Sequence, residues 1–230
     1  MITRHEVLIP FDHTHLQGML AIPPEASGLV IFVHGSGSSR FSVRNQQVAR
    51  SFNDYGIATL LFDLLTNDES KADVQDGRFR FNINLLANRL NHVTKWVHEN
   101  PECHSLKISY FGASTGAAAA IVAASEHPEF ISSIVSRGGR PDLAGISALH
   151  ELNSPILLIV GGNDREVIEL NEMAIRELRV EHEELIVDGA THLFEEPGAL
   201  EQVAEGSAAW ILEHFAFEKR KSGTAKKAGL

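Results

Sequence analysis

Five residues, Gly112-Ala113-Ser114-Thr115-Gly116, set a hydroxyl between two glycines. They sit where an apolar run, Lys107 to Phe111, gives way to an alanine-rich run, Thr115 to Ser125. The first run reads as a short buried strand and the second as a helix packed by small residues. At such a junction the turn is so sharp that side chains two before and two after the serine would collide, so both positions need glycine. The strain lifts the hydroxyl clear of the sheet edge. It also aims the free N–H groups and positive dipole end of the new helix at any developing oxyanion. The chemistry this fits is nucleophilic attack on an acyl carbon. A serine hydroxyl is weak at neutral pH, so it needs an imidazole to take its proton and a carboxylate to orient that imidazole.

A G-x-S-x-G match arises by chance in roughly one chain in ten of this composition, so its partners decide its worth. The runs Gly28 to Val33, Lys107 to Phe111 and Ile156 to Gly161 each end in a polar or glycine cluster. In an open α/β sheet, ligands bind outside the carboxyl ends of the strands. Those ends carry His34-Gly35-Ser36-Gly37, Ser114 and Asn163-Asp164, and the loop after the last strand carries Asp188 to His192. Ser114, Asp164 and His192 therefore fall in the chain order serine, acid, histidine. We assign Ser114 as nucleophile, His192 as general base and then acid, and Asp164 as the orienting carboxylate. The two oxyanion donors are the backbone N–H groups of Thr115 and Ser36.

Each assignment has a rival. Ser114 could simply cap a helix. His192 is one of twelve histidines, set apart by its place in the final loop before Phe194. Asp142 follows Pro141 at a helix start, where an acidic residue is expected, and Asp188 shapes the turn it shares with His192. Arg137 and Arg140 follow a core strand at the same edge. A guanidinium there could pair with a carboxylate or phosphate on a substrate; the favoured alternative is an ion pair that anchors the loop.

The elements that must position these residues alternate. His5 to Pro10 and Leu16 to Ile22 read as an antiparallel hairpin. Gly28 to Val33, Ile57 to Phe62, Lys107 to Phe111, Ile131 to Ser136, Ile156 to Gly161 and Glu183 to Val187 read as parallel-type strands. Helices are expected at Phe41–Tyr55, Phe81–Glu99, Thr115–Ser125, Asp142–Leu152, Val167–Arg179 and Gly198–Phe215. Leu64 to Arg80 reads as a long polar loop, with Arg78 and Arg80 walling the pocket. This is an α/β pattern: a doubly wound, mostly parallel sheet with an antiparallel N-terminal edge and helices on both faces. Residues 1–217 form one domain, and the basic stretch 218–230 is expected to be a disordered tail.

Composition narrows the function classes. A chain of 230 residues supports one well-buried domain. A net charge of −10 argues against general binding of nucleic acid or anionic membranes. No apolar stretch approaches the roughly 20 residues needed to span a bilayer. Met1 to Pro10 carries charges and no continuous apolar core, so no leader peptide is expected. The single cysteine, Cys103, reads as a free surface thiol and fits a reducing, cytoplasmic setting.

The strand-HGSGS turn, the GASTG elbow, the GGNDREV acid loop and the GATHLF histidine loop together resemble α/β-hydrolases. With no insertion between the strand ending at Ser136 and the helix starting near Asp142, the chain resembles the small, lidless dienelactone-hydrolase-like branch. The branch's namesakes carry cysteine in the elbow where this chain carries Ser114. The resemblance implies no cap domain, a shallow cleft, and hydrolysis of small esters or lactones without metal or organic cofactor. The same scaffold also hosts peptidases, thioesterases and acyltransferases, and a binding module that kept the fold stays open.

Overall fold

Alternation inside the apolar runs decides how the sheet is sandwiched. In β3 (Leu29–Val33), Leu29, Ile31 and Val33 enter one buried cluster, while Val30 and Phe32 enter another on the opposite face. A strand buried on both faces needs no polar alternation, which is why these runs are continuously apolar. A computed structural model describes the backbone of residues 1–225 and the side chains of residues 1–216.

Eight strands form one sheet. Besides β3 they are β1 (Thr3–Phe11), β2 (Thr14–Ile22), β4 (Ala58–Phe62), β5 (Ile108–Ala113), β6 (Ile131–Arg137), β7 (Ile156–Gly161) and β8 (His182–Val187). The order is β1-β2-β4-β3-β5-β6-β7-β8. β1 and β2 pair antiparallel, β2 meets β4 antiparallel, and the remaining pairings are parallel. Helices α1 (Val43–Asp54) and α7 (Ala199–Ala225) pack on one face. Helices α3 (Ile83–Glu99), α4 (Thr115–Glu126), α5 (Gly145–Glu151) and α6 (Arg165–Ile175) pack on the other. Phe32, Phe52 and Phe111 form a triangle with ring centroids 4.9 to 5.8 Å apart. Each buried ring contributes about 1.5–3 kcal/mol. Together they fix α1 against β3 and β5, the two strands that end at the glycine turn and at the elbow.

Four expectations are corrected. The stretch 64–80 is not all loop: α2 (Asn67–Asp76) lies within it. It carries a capping box, in which Thr66 Oγ1 accepts from the Glu69 N–H and Glu69 accepts from the Thr66 N–H. Its few apolar residues leave no 3.6-residue stripe, so periodicity is silent while the Thr-x-x-Glu signal is present. The expected helix at 142–152 is split into a 3-10 turn at Pro141–Ala144 followed by α5. Cys103 is buried, not superficial. The turn that holds it, with its N–H donating to the Asn100 carbonyl and its own carbonyl accepting from Leu106, directs the sulfur into the core. Burial pushes its thiol up to about 11. Finally, α7 continues to Ala225, past Glu218 where a frayed tail is expected; residues 226–230 lie outside the described residues.

The elbow glycines are tested by the space around them. A Cβ on Gly116 would overlap the Val33 carbonyl oxygen, and one on Gly112 would lie 2.5 Å from Ala117 Cα. Both obstacles are backbone, which cannot step aside. Gly56 is a useful contrast: its φ is +74° but nothing lies within 4 Å of a Cβ there. We predict that Gly56→Ala costs only the left-handed backbone penalty of about 1–2 kcal/mol. Gly116→Ala should cost at least about 4 kcal/mol or prevent folding. Urea unfolding of the two variants checks this, and equal losses would mean that the elbow does not need glycine for space.

Candidate active site

Three loops at the carboxyl edge of the sheet bring the expected residues together. Ser114 follows β5 with φ 50° and ψ −122°, in the left-handed half of φ space that side chains rarely occupy. It stands at the N-cap of α4 but its side chain makes no capping hydrogen bond. The capping rival therefore fails on geometry. Asp164 stands at the N-cap of α6 and also makes no side-chain cap. Its carboxylate goes elsewhere: His192 Nδ1 donates to Asp164 Oδ2 at 2.7 Å. By contrast Ser42, Thr66 and Asn82, at the starts of α1, α2 and α3, all cap with their side chains. The two capping-type residues that withhold their side chains are the two expected to do chemistry.

The Nδ1 bond assigns the proton of a neutral His192 to that nitrogen and leaves the Nε2 lone pair free to accept one. The Asp164 side chain is 15% exposed against 40% for His192, so the pair is shielded on the acid side. Ser114 and His192 line one cavity of about 210 Å³ with Ser36, Ser38, Asn45 and Arg137. No Oγ–imidazole hydrogen bond is formed in this resting arrangement, which is common before substrate enters.

The rival acids lie elsewhere. Asp142 takes a bidentate pair from Arg140, 2.8 Å from both Nε and Nη2. Asp188 lies exposed at the end of β8. The arginines, read together in the sequence, part company here. Arg140 forms the loop-anchoring ion pair with Asp142. Arg137 is buried and forms no ion pair among the described residues; the one hydrogen bond of its side chain among them runs from Nη2 to Asn45 Oδ1 at 3.3 Å. Of the two arginines expected to wall the pocket, Arg78 pairs with Asp76 at 2.8 Å. Arg80 is held by Asp73 at 2.5 Å and lines a second cavity of about 230 Å³ beside the His34–Ser38 turn.

The two backbone N–H groups expected as oxyanion donors differ in availability. The Thr115 N–H is one of the first in α4, where no helical partner exists. The Ser36 N–H donates to Thr115 Oγ1 at 2.9 Å. Sequence could not reveal that engagement, because it depends on β3 and β5 lying side by side. The turn itself is held by His34. Its Nε2 accepts from the Leu64 N–H at 3.1 Å and its Nδ1–H donates to the Gly35 carbonyl at 3.0 Å. Among the described residues, no cluster of three or more His, Cys, Asp or Glu could hold a metal ion, and no helix is long and apolar enough to cross a membrane.

The fold and this edge of the sheet define an α/β-hydrolase. More narrowly, the chain belongs to the dienelactone hydrolase family, whose model matches residues 16–217. A dienelactone hydrolase from Anabaena variabilis is 48% identical, with a TM-score of 0.90 over 92% of this chain and 98% of that one. Est1E from Butyrivibrio proteoclasticus shares the fold, with a TM-score of 0.76 at 17% identity over 92% of this chain and 99% of that one. A Mycobacterium tuberculosis protein, named as a proposed phosphoribosyl transferase, is 49% identical over 212 residues. That match covers 91% of this chain but 46% of the relative, so the chain spans about half of that protein's length.

The His34 bonds predict a pH dependence of stability. Burial lowers its pKa below the ordinary 6.5, only partly offset by the Gly35 carbonyl and Asp63. The unfolded chain thus binds a proton more readily than the folded one. The stabilising contribution is intact above about pH 6.5 and is lost as pH falls below it. We expect the fall in Tm between pH 7.5 and 5.5 to be smaller in His34→Asn than in the wild type; parallel pH profiles would remove His34 from the account.

Proposed function

We propose that the protein is a serine hydrolase that cleaves small carboxylic esters or lactones through an acyl-enzyme. The observation that carries this reading is the 2.7 Å His192–Asp164 hydrogen bond beside a strained Ser114 that caps nothing. Ser114 Oγ attacks the acyl carbon as its proton passes to His192 Nε2. The imidazolium so formed is stabilised through Nδ1 by Asp164. The tetrahedral oxyanion takes the Thr115 N–H, and the Ser36 N–H exchanges Thr115 Oγ1 for it. Collapse expels the alcohol, which receives the proton from His192. Water then repeats the sequence on the acyl-enzyme and releases the acid. Only Gly138–Arg140 separate β6 from the 3-10 turn, which leaves no room for a cap there and favours small or exposed acyl groups.

The phosphoribosyl transferase name belongs to a relative about twice as long. The hydrolase family model accounts for residues 16–217 here, which favours the hydrolase reading for this chain.

A fluorophosphonate probe with intact-mass readout tests the proposal: one adduct on the wild type and none on Ser114→Ala. No adduct on folded wild type would sink it and favour a binding module. Asp164→Asn should lower kcat by about 10³–10⁴-fold, since it loses both the tautomer and the charge that the imidazolium needs. A larger loss in Asp142→Asn would identify the wrong acid.

A further inference from the structure

From Thr115 to Ala124, α4 carries one polar side chain, that of Thr115; the rest are glycine, alanine, isoleucine and valine. Thr115 is 5% exposed, and a buried hydroxyl is unfavourable unless it is paired. Its one side-chain hydrogen bond among the described residues is the 2.9 Å contact in which Oγ1 accepts from the Ser36 N–H. The His34–Ser38 turn does not depend on that bond for its shape. The Ser38 N–H donates to the Gly35 carbonyl at 3.2 Å, His34 is tied to Leu64, and the Arg40 N–H donates to Asp63 Oδ1 at 2.8 Å. Gly35 also packs against the Ala113 carbonyl. Nor does α4 depend on it, because Thr115 stands inside the N-cap and its oxygen accepts from no N–H of its own helix.

The bond joins the two residues expected to hold the oxyanion, and Ser36 lines the cavity that holds Ser114. A substrate carbonyl over the Thr115 N–H must therefore compete with Thr115 Oγ1 for the Ser36 N–H. A neutral carbonyl and a hydroxyl are acceptors of similar strength, so that exchange gains nothing. A tetrahedral anion accepts charge-assisted bonds roughly twice as strong, so it wins the donor. We propose that the Thr115 side chain is a positioning residue that closes the second oxyanion donor to neutral carbonyls and yields it to the tetrahedral anion. This rests on the serine-hydrolase reading and goes beyond it by giving the hydroxyl a role in discrimination. Binding energy at Ser36 is withheld from the bound ester and realised in the transition state, which raises KM without costing kcat.

Removing the hydroxyl should improve binding, the opposite of what loss of a structural bond would do. With 4-nitrophenyl butyrate, KM should fall at least about threefold in Thr115→Ala, with a smaller change in kcat. Thr115→Ser, which returns the acceptor, should return KM towards the wild-type value. Should the alanine variant fail to fold, Thr115→Val replaces it. A KM that rises or stays constant would overturn the proposal, as would a kcat that falls more than KM does, since the hydroxyl would then be a donor to the oxyanion itself. A second readout needs no turnover. Hydrogen exchange of the Ser36 amide should be at least about tenfold faster in Thr115→Ala than in the wild type, and butylboronic acid, which forms a tetrahedral anion on an activated serine, should restore its protection. Equal exchange in the two free proteins, or no protection by a boronic acid that does inhibit, would also overturn it. A wild type that hydrolyses no ester, takes no fluorophosphonate and is not bound by the boronic acid would instead refute the hydrolase reading, and the proposal would fall with it.

Discussion

Everything at this site depends on how closely two stretches of backbone pass. Gly116 lies against the Val33 carbonyl, and a Cβ on Gly35 would sit 3.0 Å from the Ala113 carbonyl. β3 and β5 must therefore be neighbours, and their carboxyl ends must be level. That one contact sets the elbow beside the His34–Ser38 turn and brings the Ser36 N–H to Thr115. On the other flank, the Ser114 N–H bonds the Arg137 carbonyl, so β6 is held to the same level. The strained φ of Ser114 is stable only because strands on both sides over-determine it.

A second regularity concerns helix starts. A serine or aspartate at an N-cap ordinarily turns its oxygen back onto the helix and gains about 1 kcal/mol by doing so. Ser114 and Asp164 forgo this and project outward, Asp164 to His192 and Ser114 into the cavity. Stability is given up at two helix ends, and two oxygens are left free of the helices they start. α4 compensates through packing: its residues from Thr115 to Ala124 are all buried, and alanines let it lie close to the sheet. A larger side chain on that face would push the elbow away from His192.

The strands and the three triad candidates were legible because each is written locally. Continuous apolar runs mark doubly covered strands, and serine, acid and histidine follow those runs in order. What stayed hidden depends on partners distant in sequence. Arg137 and Arg140 are three residues apart and chemically identical, yet one meets Asp142 and the other meets no carboxylate; nothing local separates them. Cys103 looked superficial because polar residues surround it, while a tight turn points it inward. α2 was missed for another reason: its information lies in Thr66 and Glu69 rather than in an apolar stripe. The occupied Ser36 N–H was unreadable because its acceptor is 79 residues away.

The electrostatics of the cleft run against those of the molecule. The chain carries a net charge of −10, yet the cavity beside Ser114 is walled by Arg137, Arg44 and the positive end of α1. Acidic side chains abound and one could have been placed against Arg137, as Asp142 is against Arg140. A counterion from within would lower the cost of folding. A buried cation left short of partners is the electrostatic counterpart of Ser114's strained backbone. Each is an unfavourable arrangement held by the surrounding sheet, and both line one small cavity.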